Sequence, residues 1–171
     1  MRGRILIAFA TRAGSTEGIA SAIAEEFSTS GYDINTVLIN DKTELKGYDH
    51  IILGGPIYMG AMNEVKDFIR RNEDAVGSRL LGAFAVGMSF AGDDEEMQAP
   101  ARDALKNAIA PLKPKYYGYF AGMTDPKKLS FLQRTALRIV TSPIGDFRDW
   151  EAIRGWTQEI IRELQKEMNP S

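Results

Sequence analysis

Thr11, Ser15 and Thr16 put three hydroxyls into one six-residue turn, Thr11-Arg12-Ala13-Gly14-Ser15-Thr16. An unbroken apolar run, Ile5 to Ala10, leads into the turn, and Ile19, Ile23 and Phe27 follow it at helical spacing. The chain therefore leaves a buried strand and enters a helix whose first amide N–H groups have no intrahelical partner. Such N–H groups, joined by nearby hydroxyls and by a backbone that Gly14 and Gly18 leave open, suit an anion. No G-x-x-x-x-G-K-[ST] supplies a lysine for nucleotide phosphates, and no G-x-G-x-x-G marks a dinucleotide turn. A phosphomonoester fits the spacing better. The plainer alternative is a helix with a Ser/Thr-rich N-cap and no ligand.

A second candidate loop closes the stretch from Tyr48 to Gly60, YDHIILGGPIYMG. Pro56 fixes the backbone and Gly60 permits close approach, while Ile57, Tyr58 and Met59 offer the flat or apolar surface that an aromatic ring system needs. Taken alone, the loop is better read as a tight βα turn with a partly buried tyrosine; paired with the first loop, that becomes the weaker reading. A third loop, Ser89-Phe90-Ala91-Gly92-Asp93, ends another apolar run that starts at Leu80. Asp93, Asp94, Glu95 and Glu96 follow. Acidic residues favour the first turn of a helix, and carboxylates beside a reducible ring would also disfavour its anionic form. His50 stands at the start of its strand, away from these loops, and is assigned no chemistry.

These loops need strands to hold them. Besides the two runs already named, Ile34 to Ile39 reads as a modestly apolar edge strand, Leu80 to Ser89 as a fourth strand and Tyr116 to Gly122 as a fifth. Helical periodicity occupies Ala61 to Asp74, Glu95 to Leu112 and Trp150 to about Met168, the last with Asp149 as N-cap. Strands alternating with helices, without a strong hairpin signal, predict an α/β doubly wound parallel sheet, with ligands beyond the strand carboxyl ends. At 171 residues, with 44% hydrophobic and 26% charged positions, the chain suits a single domain over 1–171. Zero cysteines and one histidine leave no thiolate cluster and little scope for a metal site, so redox chemistry would need an organic cofactor. The net charge of −2 argues against nucleic-acid binding. Without a membrane-length apolar run, and with Met1-Arg2-Gly3-Arg4 leading straight into the first strand, a cytoplasmic location is expected.

Between the fifth strand and the final helix lies Met123 to Arg148, longer than an ordinary connection. Lys127, Lys128, Arg134 and Arg138 decorate it, and Leu129, Leu132, Ala136, Ile139 and Val140 share a helical face. Residues 113–138 carry +5 against −7 for the rest of the chain. That asymmetry suits either a helix solvated along one side or, over 126–142, a peripheral contact with the anionic inner face of the cell membrane. A carboxylate-bearing substrate is a further candidate for the same charge.

The T-x-x-G-S-T turn resembles that of the flavodoxin family, whose corresponding loop holds the phosphate of FMN, and the YDHIILGGPIYMG loop is similar to the one that carries its isoalloxazine. The AGMTDPKKLSFLQRTALRIV stretch and the later DWEAIRGWTQEI resemble the flavodoxin-type, menaquinone-dependent protoporphyrinogen oxidases. The resemblance implies the sheet order 2-1-3-4-5, with the basic helical insertion after strand 5. It also implies FMN held by Thr11, Arg12, Ala13, Gly14, Ser15 and Thr16, its ring between Pro56, Ile57, Tyr58, Met59 and Gly60 on one side and Ser89, Phe90, Ala91, Gly92 and Asp93 on the other. Reducing equivalents would pass from a tetrapyrrole precursor to a quinone, the hydride chemistry belonging to the flavin and no acid–base residue standing out. GGPIYMG departs from the more basic loop of that family towards an ordinary flavodoxin loop. An electron carrier serving a redox partner protein, an NAD(P)H:quinone reductase and a homodimer therefore stay open.

Overall fold

A computed structural model describes residues 2–125, 127 and 144–169 of the chain. The strands β1 (Arg4–Phe9), β2 (Asp33–Leu38), β3 (His50–Pro56), β4 (Leu80–Val86) and β5 (Tyr116–Phe120) form one parallel sheet in the order β2-β1-β3-β4-β5. Helices α1 (Ser15–Thr29), α2 (Asn63–Val76), α3 (Glu95–Ile109) and α4 (Trp150–Met168) cover it. The doubly wound order read from the sequence is the observed one. The basic segment over 126–142, on which the membrane-contact reading falls, lies outside the described residues apart from Lys127.

Continuous apolar runs form the inner strands because both faces of the sheet are covered. Ile5, Ile7, Phe9, Ile52, Phe84 and Phe120 point to the side of α1 and α4, and the intervening Leu6, Ala8, Ile51, Leu53, Ala83 and Ala85 point to the side of α2 and α3. On the first side the rings of Phe84, Phe120 and Trp156 meet edge-on or tilted, with centroids 5.7–6.3 Å apart. Gly54 makes room for them: a Cβ there would lie 2.0 Å from Phe84 Cζ. Trp156 Nε1 donates to the Tyr117 carbonyl at 3.1 Å, which fixes that tryptophan as packing. The edge strand β2 is only half-buried, as its weaker apolar pattern predicts.

Element ends differ from the sequence reading for local reasons. β4 stops at Val86 rather than Ser89 because Met88–Phe90 tightens into a 3-10 turn, with Gly87 N–H donating to the Phe120 carbonyl. α3 stops at Ile109 rather than Leu112, since Ala110 precedes Pro111 and takes φ −58°, ψ 142°, outside the helical region. α2 begins at Asn63 because Ala61 is paired with Tyr58 in a turn. β5 gives way after Phe120 to a short antiparallel ribbon, β6 (Met123–Thr124) with β7 (Gly145–Asp146), that carries the chain back to α4.

Candidate functional site

The loop after β1 turns on Gly14, which adopts φ 86°, ψ −5° and donates its N–H to Thr11 Oγ1 at 3.0 Å. This left-handed conformation favours glycine. Gly14 is itself the N-cap of α1 and brings no side-chain oxygen, so no side chain closes the helix start. The Ser/Thr-rich cap that the sequence offered as an alternative does not form: the Thr11 hydroxyl serves Gly14, and Thr16 is fully buried with its Oγ1 lacking any partner among the described residues. An unsatisfied buried hydroxyl costs about 1–3 kcal/mol, and beside uncapped helical N–H groups it fits a missing anionic oxygen. A phosphate ester satisfies that test.

Arg12 is engaged by the neighbouring elements. Its Nη2 donates to Glu64 Oε1 at 2.7 Å, and the guanidinium lies 4.1 Å from the centroid of the Tyr58 ring. It thus ties the loop after β1 to the loop after β3 and to the first turn of α2. In that second loop Pro56 ends β3 and Ile57 N–H donates to the Val86 carbonyl at 2.8 Å. Tyr58 and Ala61 exchange hydrogen bonds of 2.9 and 3.1 Å around Met59 and Gly60, whose φ values of 49° and 76° are both positive, as a type I′ turn requires. Positive φ disfavours the non-glycine Met59, which nevertheless stands 90% exposed at the tip.

The third loop sits across from these. Ile57 lies within van der Waals reach of the Gly87 position, and the Phe90 ring packs on Tyr119 with centroids 5.6 Å apart. Burial raises the Tyr119 phenol, with Tyr117 adding to the shift and the Arg102 guanidinium opposing it, so Tyr119 stays neutral near neutral pH. Beyond Ala91 and Gly92 a cavity of about 290 Å³ opens between Phe90, Asp93, Tyr119, Phe147 and Asp149. The neighbouring acids are otherwise engaged: Asp94 caps α3 by accepting from Glu96 and Met97 N–H, Glu95 pairs with Arg102, and Asp149 caps α4 by accepting from Ala152 N–H at 3.0 Å. Ser89 lies within the 3-10 turn between β4 and α3, and Ala13 lies in the turn before Gly14.

One wall escaped the sequence reading. Gly122 brings β5 against the first loop, since a Cβ there would lie 3.2 Å from Val86 Cγ1 and 3.5 Å from Ser15 Oγ, and its carbonyl accepts from Phe147 N–H at 3.1 Å. Arg148 follows Phe147. Its Nε and Nη2 hold the two oxygens of Asp146 at 2.9 and 2.7 Å, and its guanidinium stacks 4.6 Å from the Trp150 ring. The Gly-Asp-Phe-Arg run held a signal, an acid and a base two apart, but nothing local placed them beside a loop more than a hundred residues earlier. Among the described residues no group of His, Cys, Asp and Glu could hold a metal, and no helix is long and apolar enough to cross a membrane.

Three loops at the carboxyl ends of β1, β3 and β4 lie around the point where strand order reverses in this doubly wound α/β protein, the usual ligand end of such a sheet. The Flavodoxin domain family matches residues 6–150, so the chain belongs to the flavodoxin domain family. It is 22% identical over 178 aligned residues to the protoporphyrinogen IX dehydrogenase [quinone] of Escherichia coli strain K12, covering 95% of this chain and 97% of that protein. Among solved structures it resembles a flavodoxin of Streptococcus pneumoniae TIGR4, with a TM-score of 0.60 and 17% identity over 96% of this chain and 99% of that one. It also resembles the flavodoxin of Fusobacterium nucleatum bound to flavin mononucleotide, with a TM-score of 0.58 and 18% identity over 94% and 98%.

Proposed function

We propose that the chain is an FMN-dependent oxidoreductase, and that its redox partners are a tetrapyrrole precursor and a quinone. The observation that carries the cofactor is the uncapped start of α1 above the buried, unpartnered Thr16 hydroxyl, in a chain of this family. Ser15, Thr16 and the backbone from Thr11 to Gly14 would hold the phosphate, and the ring would lie between Tyr58 with its neighbours Pro56 to Gly60 and the wall from Ser89 to Asp93. Bound there, FMN supplies the one- and two-electron redox chemistry that the side chains lack. Arg12, drawn to Glu64 and Tyr58, holds the two loops at a fixed separation rather than meeting the phosphate. The near full-length similarity to the Escherichia coli dehydrogenase supports the choice of substrate class. An electron carrier is the second reading, favoured by the exposed Met59 tip and by the acidic run at Asp93 to Glu96, which suit a basic partner protein.

The test is a visible spectrum of the freshly purified protein, followed by anaerobic addition of protoporphyrinogen and then of a menaquinone analogue. Flavin bands that bleach with the tetrapyrrole and return with the quinone are the expected result. Bands that ignore the tetrapyrrole but bleach with NAD(P)H, or only with a reduced protein partner, would move the assignment to the reductase or the carrier. No flavin after FMN is added would overturn the cofactor assignment itself.

A further inference from the structure

Arg148 occupies an electrostatically odd position. A Cβ added to Gly18 would stand 2.5 Å from Arg148 Nη1, so the guanidinium rests directly on the backbone of the first turn of α1. That end of a helix carries partial positive charge, and a cation there is disfavoured unless an anion is close. Its side chain is only 14% exposed. The Nε–Nη2 edge is spent on Asp146, and Nη2 also lies 3.6 Å from Met123 Sδ, which leaves Nη1 as the corner turned towards α1. The Asp146–Arg148 pair is therefore a dipole with its positive end at the helix and its negative end away from it. Gly18 lies three residues beyond Ser15, or about 4.5 Å along the axis, so Nη1 stands within a turn of the free N–H groups. The ribbon that carries Arg148 reaches the same loop at a second point, where Gly122 approaches Ser15.

We infer that Arg148 is a positioning residue that sets the preference of the cradle for a phosphorylated flavin. This rests on the FMN reading above and goes beyond it. Asp146 already neutralises the Nε–Nη2 edge, and a dianionic phosphate at the start of α1 would add a second anion on the side of Nη1, the corner that Asp146 leaves free. The charge acts through Gly18 and the helix start, and the pair holds it in place from the segment that leads out of the basic insertion. Glycine at 18 is what admits it, since any side chain would displace Nη1.

The test compares flavin-stripped full-length protein titrated with FMN and, separately, with riboflavin, followed by quenching of flavin fluorescence. Riboflavin has the same ring and ribityl chain without the phosphate. Arg148→Met is expected to weaken FMN binding roughly threefold to tenfold, an effect of the size of one partly screened charge, and to leave riboflavin affinity unchanged. Gly18→Ala meets no backbone atom and has only the Nη1 end of Arg148 to push aside, and it is expected to give the same FMN-selective loss. Arg148→Lys, which keeps a charge, recovers part of it. Equal losses for both flavins in Arg148→Met and Gly18→Ala would reduce Arg148 to a packing role and overturn the inference, as would no loss for either. A wild-type protein that binds neither flavin would instead remove the FMN assignment, and this inference with it.

Discussion

The Thr16 hydroxyl is the sharpest single feature of the site, because it is buried and meets no partner among the described residues. The residue has no exposed surface and its Oγ1 has no partner among the described residues, yet it opens a helix that nothing caps. Valine has the same shape without the hydroxyl. Thr16→Val should therefore leave the ligand-free protein at least as stable in a urea titration, because it removes an unsatisfied buried group. FMN affinity should fall by about 1 kcal/mol, roughly fivefold, the net worth of one hydrogen bond. The opposite signs make the test strict. A variant that loses stability and keeps its affinity would make Thr16 a packing residue. The glycine, hydroxyls and short spacing of this loop were legible in the sequence because strand, turn and helix start are contiguous there. The role of Arg12 was not, since its partners Tyr58 and Glu64 lie about fifty residues away and only the sheet order brings them together.

At the scale of elements, buried strands announced themselves as apolar runs, and the helices as periodic ones, but their ends were set by tertiary contacts. β4 yields after Gly87, whose N–H still reaches the Phe120 carbonyl on β5, because Met88–Phe90 closes into a 3-10 turn that no local pattern reveals. The β6–β7 ribbon was invisible for the same reason: two residues on each side are too few to show alternation. Its stability should be acid-sensitive. The side-chain hydrogen bonds from Arg148 are the main cause that holds the Asp146 carboxyl below its ordinary range, with partial burial opposing them and the Arg148 backbone N–H assisting. A carboxylate depressed in the folded state contributes stability above its unfolded pKa and loses it as pH falls through the folded value. Wild type should therefore exceed Asp146→Asn in urea midpoint at pH 7 and at pH 5, and the gap should close below about pH 4. A gap that does not change with pH would mean that the pair adds nothing through charge. Solvent reaches 43% of the Asp146 side chain, and screening there keeps the contribution of the pair small.

In the whole molecule, the carboxyl end of the sheet joins elements that are distant in sequence. In the proposed site the phosphate would be held from β1 and α1, the ring from the loops after β3 and β4, and the far wall would come from β5 and the segment before α4, so one ligand would touch elements of both layers. The sheet that links them is buried on both faces, a shared core that favours cooperative unfolding. A ligand that binds only the folded form should then stabilise all of it, by about 2.7 kcal/mol at a hundred times its dissociation constant. For a chain of 171 residues that corresponds to a rise in melting temperature of very roughly 5–10 °C. Calorimetry or circular dichroism should show one transition that moves upward together at every wavelength as FMN is added. A transition that splits, with an FMN-insensitive part, would show that β5 and α4 fold apart from the cradle and that the contacts of Gly122 and Arg148 with α1 are too weak to couple them. The same titration with riboflavin separates the contribution of the ring from that of the phosphate. If the sheet alone transmits the effect, the shift depends only on how far each flavin exceeds its own dissociation constant, and the two curves coincide once scaled that way.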